Sequence, residues 1–220
     1  SVRAVWTTWA MEHPEGEEPL RNPASAITRK RGRVVKVKAR QGALSVVQRK
    51  PWISEIEARS NDAAAALAFV FYTGLRRNEA VGLRWDEVGD DTITIDASRM
   101  KAGEELARPI TPKMREILDR QRGKHDTFVF PAHRGPGHLT ETRKTLHAVN
   151  DVVGTSITIH DLRRTYAAAA ALAGLPDIAV KLLLGHTTSD VTDDYKSALR
   201  SELPDFADRV EVELLREVSQ

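Results

Sequence analysis

Residues 159–195 read IHDLRRTYAAAAALAGLPDIAVKLLLGHTTSDVTDDY, a stretch in which apolar runs alternate with glycine, proline and polar residues. His160 and Arg163 are three residues apart, His186 follows His160 after twenty-six residues, and Tyr195 comes nine residues later. Side chains three apart on a helix lie on one face, so His160 and Arg163 are expected to point to the same side. The stretch therefore predicts closely spaced helices whose ends carry chemically active side chains.

Local signals define these helices. An Ala-rich helix is expected from Thr158, a good N-cap, to about Gly174. A second is expected from Pro176 to Gly185, because proline favours the start of a helix and glycine its end. Thr188 or Ser189 is expected to cap a last short helix that carries Tyr195.

The rest of the chain predicts a mainly α fold with a small antiparallel β-sheet, an α+β class. Asn61 or Ser60 can cap a buried apolar helix that ends at Gly74. Residues 92–95 alternate in polarity and are expected to pair with residues 108–110. Further helices are expected at about 77–84, 112–122 and 140–150, and Leu203–Pro204 is expected to break the chain before an acidic tail helix.

Composition excludes several classes of protein. The 220 residues contain no Cys, which excludes disulfides, thiolate chemistry and Cys-ligated zinc and fits a reducing cytosol. The absence of a long uncharged apolar run predicts no membrane span. The formal net charge is only +2, yet no acidic residue lies between Glu18 and Glu55, where ten basic residues occur. This charge favours a polyanion partner and a solvated flexible linker about equally.

Several side chains match what metal-free cleavage of a phosphodiester requires. Arginines can hold the phosphate oxygens, a tyrosine can attack phosphorus, and histidines with a lysine can move the protons. The candidates, in chain order, are Arg76, Lys101, His160, Arg163, His186 and Tyr195. Each also has an ordinary structural explanation: an ion pair for the arginines, a backbone contact for the histidines, a solvated loop for Lys101 and helix packing for Tyr195.

Four segments resemble the signature segments of tyrosine recombinases, the phage integrase family. They are TGLRRNEAVGLRW at 73–85, MK at 100–101 followed by ARPIT, HDLRRTYA at 160–167 and LLGHTTSDVTDDY at 183–195. The resemblance covers roughly residues 60–200, and FVFP at 128–131 also fits integrases of phages and genomic islands. Any one segment is a weak signal, whereas four in the family's order are a strong one.

The resemblance implies a role for each candidate. Tyr195 would be the nucleophile that forms a 3′-phosphotyrosine, and Arg76 and Arg163 would clamp the scissile phosphate. Lys101 would be the general acid, and His160 would accept or relay the tyrosine proton. His186 would hydrogen-bond a phosphate oxygen, and Glu79 would brace the site by pairing with an arginine. No cofactor and no metal would be needed.

The resemblance also implies the domain organisation and the partners. Residues 1–20 would be the last helix of a core-DNA-binding domain that is otherwise missing, 21–50 a basic interdomain linker, 51–200 the catalytic domain and 201–220 an acidic tail exchanged between protomers. The partners would be double-stranded attachment sites, three further protomers in a tetramer and DNA-bending accessory proteins, in a bacterial cytoplasm. The linker residues expected to contact DNA are Arg29, Lys30, Arg31, Arg33, Lys36 and Lys38.

Two other functions remain open at the level of the sequence. One is a catalytically inactive DNA-binding module of the same descent, against which the complete set of candidate residues argues. The other is a type IB topoisomerase, which shares the chemistry but relaxes DNA without a specific site.

Overall fold

The computed structural model describes residues 42–100, 103–186 and 192–217, with the side chains of 193–195 excepted. The predictions for the terminal helix at 1–20, for the linker up to residue 41 and for Lys101 lie outside these described residues. The described part is mainly helical with a small antiparallel sheet, so the predicted α+β class is confirmed. Its helices are α1 Val46–Glu57, α2 Asp62–Thr73, α3 Arg77–Val81, α4 Pro112–Gln121, α5 Arg143–Val153, α6 Ile159–Leu172, α7 Asp177–Leu184 and α8 Asp193–Leu215.

The sheet consists of two strands, β1 at Thr92–Ile95 and β2 at Leu106–Pro109. They pair antiparallel, with Thr92 opposite Pro109 and Ile95 opposite Leu106. Ile93 and Ile95 are buried while Thr94 is exposed, as the alternation of the sequence predicts. Met100 follows a short 3-10 turn after β1 and is also buried, so the start of the connection is fixed to the core.

Helix α2 is the centre of the core and packs against α1, α4 and α6. Its sequence DAAAALAFVFYT is almost entirely apolar, which suits a helix buried on most sides. The Asn61 side chain accepts a hydrogen bond from the Ala64 N–H at 2.8 Å, and Gly74 ends the helix with a φ of +65°. Both predicted ends are therefore confirmed, and the turn at Gly74 delivers Arg76 to the surface of the core.

Helix α1 begins inside the segment predicted to be a linker. Ser45 is its N-cap, and Pro51 lies in its interior. The helix forms because Trp52, Ile53 and Ile56 are buried in the core, which offsets the backbone hydrogen bond that Pro51 lacks. The prediction of linker structure up to residue 50 is thus wrong for residues 46–50.

Helix α8 is a single helix of 23 residues, so the predicted short helix and the predicted break at Leu203–Pro204 are both wrong. Its N-cap is Thr192 and not Thr188 or Ser189. Pro204 lies inside it, and the apolar side chains on either side of Pro204 are buried in the core: Leu199, Leu203, Phe206, Ala207, Val210 and Leu214. This continuous apolar face stabilises the helix across the proline.

Two carboxylates dock the end of α8 on its own domain. Glu211 accepts hydrogen bonds from the Thr111 hydroxyl and from the Lys113 N–H, the latter at 3.2 Å, and so caps the start of α4. Glu213 pairs with the buried guanidinium of Arg49 at 3.2 Å. Among the described residues, no helix has the length and apolar composition needed to cross a membrane.

Candidate active site

Arg76 stands at the start of α3, directly after the turn that ends α2. Its Nη1 donates a hydrogen bond to Glu79 Oε1 at 2.8 Å, and its backbone N–H donates to Glu79 Oε2 at 2.8 Å. Glu79 is only 5 % exposed, whereas the Arg76 side chain lies at the surface of a cleft. One buried carboxylate thus holds both the backbone and the side chain of Arg76, an arrangement consistent with the predicted bracing of an arginine by Glu79.

Arg163 lies on α6 and is 6 % exposed. Its Nη1 donates to the Gly74 carbonyl at 2.7 Å and its Nη2 donates to the Leu184 carbonyl at 2.6 Å. These carbonyls close the C-terminal ends of α2 and α7, where the helix dipole favours a cation. The neighbouring Arg164, and not Arg163, forms an ion pair with Asp161, at 3.0 Å.

The surroundings of Arg163 destabilise its positive charge. Burial, and then the nearby charge of Arg76, lower the pKa of Arg163 to about 10. The guanidinium therefore stays protonated at neutral pH while an anion beside it would be strongly favoured. A phosphate diester is such an anion, and planar guanidinium groups suit its oxygens.

His160 occupies the first turn of α6 and is exposed to the cleft. The start of this helix is fixed by Asp161, whose Oδ2 accepts from the Thr158 N–H at 2.8 Å and from the Thr158 hydroxyl at 2.6 Å. The predicted helix start is confirmed, and with it the placement of His160 and Arg163 on one side. Together with Arg76 they line a cleft of about 730 Å³.

His186 follows Gly185, which ends α7 with a φ of +61°. It lines a second cleft, of about 530 Å³, with Lys196 and Arg200 of α8. Burial, and then the charges of Arg163 and Arg76, lower the pKa of His186 from its usual value of 6.5. At neutral pH the imidazole is therefore uncharged and can donate one ring N–H to an oxygen.

The β1–β2 connection reaches the point where these two clefts meet. Met100 lines the first cleft, and its Cε would lie 3.1 Å from a Cβ placed on Gly185, which lines the second. Lys101 is the next residue along the chain, outside the described residues. Its catalytic role stays a prediction, supported by the position of Met100.

Tyr195 is the third residue of α8, and its side chain also lies outside the description. Helix α8 begins at Asp193, eight residues after Gly185, with Thr192 as its N-cap, and it continues past Lys196 into the wall of the second cleft. The role of Tyr195 as the nucleophile therefore stays a prediction. So do the DNA contacts of Arg29, Lys30, Arg31, Arg33, Lys36 and Lys38, which lie outside the described residues.

Sequence reasoning did not select three further arginines that the fold places at or beneath the site. Arg77 and Arg99 line the first cleft, where Arg77 donates to the Thr140 carbonyl and Arg99 pairs with Glu87. Arg108, on β2, is buried under the site. Arg77 could have been found from its place beside Arg76, whereas the sequence contains no signal for Arg108. Among the described residues, no group of three or more His, Asp and Glu side chains could hold a metal ion.

Comparison with known proteins identifies the fold and the family. Residues 50–202 match the family model described as the phage integrase family. The chain is 26 % identical to the prophage integrase IntF of Escherichia coli K12 over 179 residues, 77 % of this chain and 38 % of that protein. It is 29 % identical to the tyrosine recombinase XerD of Pseudomonas aeruginosa PAO1 over 151 residues, 64 % of this chain and 51 % of that protein.

A solved structure with the same fold is that of the XerH site-specific recombinase bound to difH substrate in a pre-cleavage complex. The TM-score is 0.55 at 18 % identity, over 76 % of this chain and 53 % of the XerH chain. The chain spans between 38 % and 51 % of the lengths of the curated relatives it matches.

Proposed function

The chain belongs to the phage integrase family, and from this premise we propose that it is the catalytic domain of a site-specific tyrosine recombinase. It cleaves and rejoins double-stranded DNA through a 3′-phosphotyrosine intermediate, without a metal or nucleotide, and so integrates or excises a phage, prophage or genomic island. One observation carries the proposal. Arg163 is buried beside Arg76, yet its guanidinium is held by two carbonyl oxygens and not by a carboxylate. This leaves a positive charge available for a phosphate.

In the proposed reaction the Tyr195 oxygen attacks the scissile phosphorus while the bond from phosphorus to the 5′-oxygen breaks. His160 accepts the phenol proton, and Lys101 gives a proton to the departing 5′-oxygen. Arg76, Arg163 and neutral His186 donate hydrogen bonds to the non-bridging oxygens, on which negative charge grows. Rejoining is the reverse step, with a 5′-hydroxyl as the attacking group.

Glu79 supports this reaction without touching the phosphate. Its two oxygens hold the Arg76 guanidinium and the Arg76 N–H at 2.8 Å each, so Arg76 keeps one orientation before DNA arrives. Preorganised donors lower the barrier because they do not have to reorient during the reaction.

The proposed partners are double-stranded attachment sites and three further copies of the chain, with DNA-bending accessory proteins, in a bacterial cytoplasm. XerH, a site-specific recombinase with the same fold, was solved bound to difH substrate. Exchange of residues 201–220 between protomers is also proposed, and it would require Glu211 and Glu213 to leave the contacts they make within one chain. Deleting residues 203–220 is expected to weaken tetramer assembly on DNA, and unchanged sedimentation would contradict the exchange.

The experiment uses duplexes with random flanks around one 5′-bridging phosphorothiolate, whose thiolate leaving group needs no general acid and does not rejoin. Covalent adducts are separated on a denaturing gel and sequenced, which also defines the preferred site. Wild type and Lys101→Ala are expected to form adducts with the phosphorothiolate, and Tyr195→Phe is expected to form none. On the same site with an ordinary nicked phosphodiester, Lys101→Ala should lose most of its activity.

Each alternative has its own result. An adduct formed by Tyr195→Phe would remove Tyr195 as the nucleophile. DNA binding by the wild type without any adduct would favour the inactive DNA-binding module. Relaxation of plasmids that lack the selected site would favour a topoisomerase.

A further inference from the structure

Arg108 is a buried cation that the proposed reaction does not use. It is 1 % exposed, and its Nη1 donates a hydrogen bond to the Tyr166 hydroxyl at 3.2 Å. Its Nε and Nη2 are buried without a hydrogen-bond partner, and no described carboxylate forms an ion pair with it. The Arg108 Cζ lies 4.7 Å from the centre of the Tyr166 ring, so the ring face also stabilises its charge.

Packing alone does not account for an arginine at this position. The position faces the core, where Leu106, two residues earlier on the same strand, is apolar. An apolar side chain of similar volume would avoid the desolvation of a charge and of two N–H groups. Glu79, whose negative charge acts on Arg108, already pairs with Arg76, so the charge at residue 108 is only partly compensated by the described residues.

A short chain of contacts connects Arg108 to the phosphate clamp. The Tyr166 ring under Arg108 packs against Gly74 so closely that a Cβ on Gly74 would lie 2.8 Å from ring carbons Cγ and Cδ1. The Gly74 carbonyl in turn accepts the 2.7 Å hydrogen bond from Arg163. Arg108 is thus two contacts away from the atoms that hold Arg163.

The charges of this group do not cancel. Arg76, Arg108 and Arg163 carry three positive charges, and Glu79 carries one negative charge, which leaves two positive charges. Arg108 and Arg163 repel each other, and the charge of Arg108 contributes to the lowered pKa of Arg163. A phosphodiester carries one negative charge, whereas the five-coordinate state formed by attack of a phenolate carries two.

Resting on the proposed function, we propose that Arg108 is a positioning residue that supplies the second positive charge for the five-coordinate state through the Tyr166–Gly74–Arg163 contacts. It does not touch the DNA. Because its charge is matched only when the second negative charge develops, it favours the transition state over bound DNA. Arg108 therefore acts on the rate of cleavage and hardly on the affinity for DNA.

The test compares Arg108→Met with wild type on the site found by the adduct selection. The cleavage rate is expected to fall roughly 30-fold, the effect of one unit charge on another at about 8 Å in an effective dielectric of about 20. The DNA dissociation constant is expected to change less than about threefold. Arg108→Lys, which keeps a charge on a shorter reach, should recover part of the rate.

A second substrate separates charge from structure. A methylphosphonate at the scissile position removes one negative charge from both the ground state and the five-coordinate state. The loss caused by Arg108→Met should then shrink to roughly threefold, because the single charge that develops is already matched. Leu118→Ala, a fully buried core change on α4 away from both clefts, is the control and should lower the rate on both substrates equally.

Tyr166→Phe keeps the ring and removes the hydroxyl that accepts from Arg108, so it tests the same contact if Arg108→Met does not fold. It should also lower the rate more on the phosphodiester than on the methylphosphonate. Equal losses on the two substrates for Arg108→Met or Tyr166→Phe would overturn the inference and leave the proposed function intact. Absence of any wild-type adduct would instead overturn the proposed function.

Discussion

Gly74→Ala tests how tightly the phosphate clamp is built into the core, and Gly154→Ala is its matched control. Both glycines end helices with similar backbone angles, φ +65° at Gly74 and +71° at Gly154. An alanine at such an angle costs about 1 kcal/mol whatever surrounds it. A Cβ on Gly154 would meet nothing within 4 Å, so about 1 kcal/mol is the whole expected loss there.

At Gly74 the added Cβ would lie 2.8 Å from two carbons of the Tyr166 ring and 3.0 Å from Leu184 Cδ2. Carbon atoms in contact normally lie about 3.5–4.0 Å apart. Tyr166 is buried and cannot move aside freely, so overpacking adds about 1–3 kcal/mol. The expected total for Gly74→Ala is therefore about 2–4 kcal/mol of lost unfolding free energy.

The assay is urea denaturation followed by circular dichroism, with Tm as a second measure. At this chain length 1 kcal/mol shifts Tm by about 2–4 °C. The same displacement moves the Gly74 carbonyl that accepts from Arg163, so Gly74→Ala should also weaken DNA cleavage while Gly154→Ala should not. Equal stability losses in the two variants would refute the argument that close packing against Tyr166 fixes the turn.

Three further predictions concern charged groups. Glu213→Gln should lower the unfolding free energy by about 3–5 kcal/mol, because it leaves the Arg49 charge buried and unpaired. Adding Arg49→Met should recover much of this loss in a double-mutant cycle, whereas additive losses would contradict the pairing. The pKa of His186 measured by NMR should lie below 6.5 and should rise in Arg76→Ala, because that variant removes a neighbouring positive charge; an unchanged value would contradict this electrostatic contact. Burial raises the pKa of Glu211 above its usual 4.5, so the native state holds a proton that the unfolded state has lost. The unfolding free energy of the wild type should therefore fall relative to that of Glu211→Gln as pH rises from 4.5 through the raised pKa. Urea denaturation at several pH values measures both free energies, and parallel pH curves would contradict the prediction.

Local chemistry explains which parts of the fold could be predicted from the sequence. Both ends of α2, the start of α6 and the end of α7 were predicted correctly, at Asn61, Gly74, Thr158 and Gly185 respectively. Such signals act within one turn of the chain, so they do not depend on the rest of the fold. The same holds for Glu79 and Arg76, which meet because residues three apart are neighbours at a helix start.

The errors arose where distant packing outweighs a local signal. Pro204 removes a backbone hydrogen bond, and sequence reasoning treated it as a helix end. In the structure Leu203, Phe206 and Val210 are buried on both sides of it, and their burial stabilises the continuous helix. Arg108 was missed for the same reason, because nothing local to β2 shows that its guanidinium packs over the Tyr166 ring.

Because α8 is one continuous helix, a movement at its C-terminal end displaces the backbone at its N-terminal end. Sixteen residues separate the backbone of Tyr195 from that of Glu211, which docks the helix on α4. At a rise of about 1.5 Å per residue the two positions are about 24 Å apart along the axis. A tilt of only about 5° about the docked end would displace the backbone at residue 195 by about 2 Å, more than a third of the pitch of a helical turn. A small change in the contacts of Glu211 and Glu213 would therefore produce a larger displacement at Tyr195, the residue proposed to attack DNA.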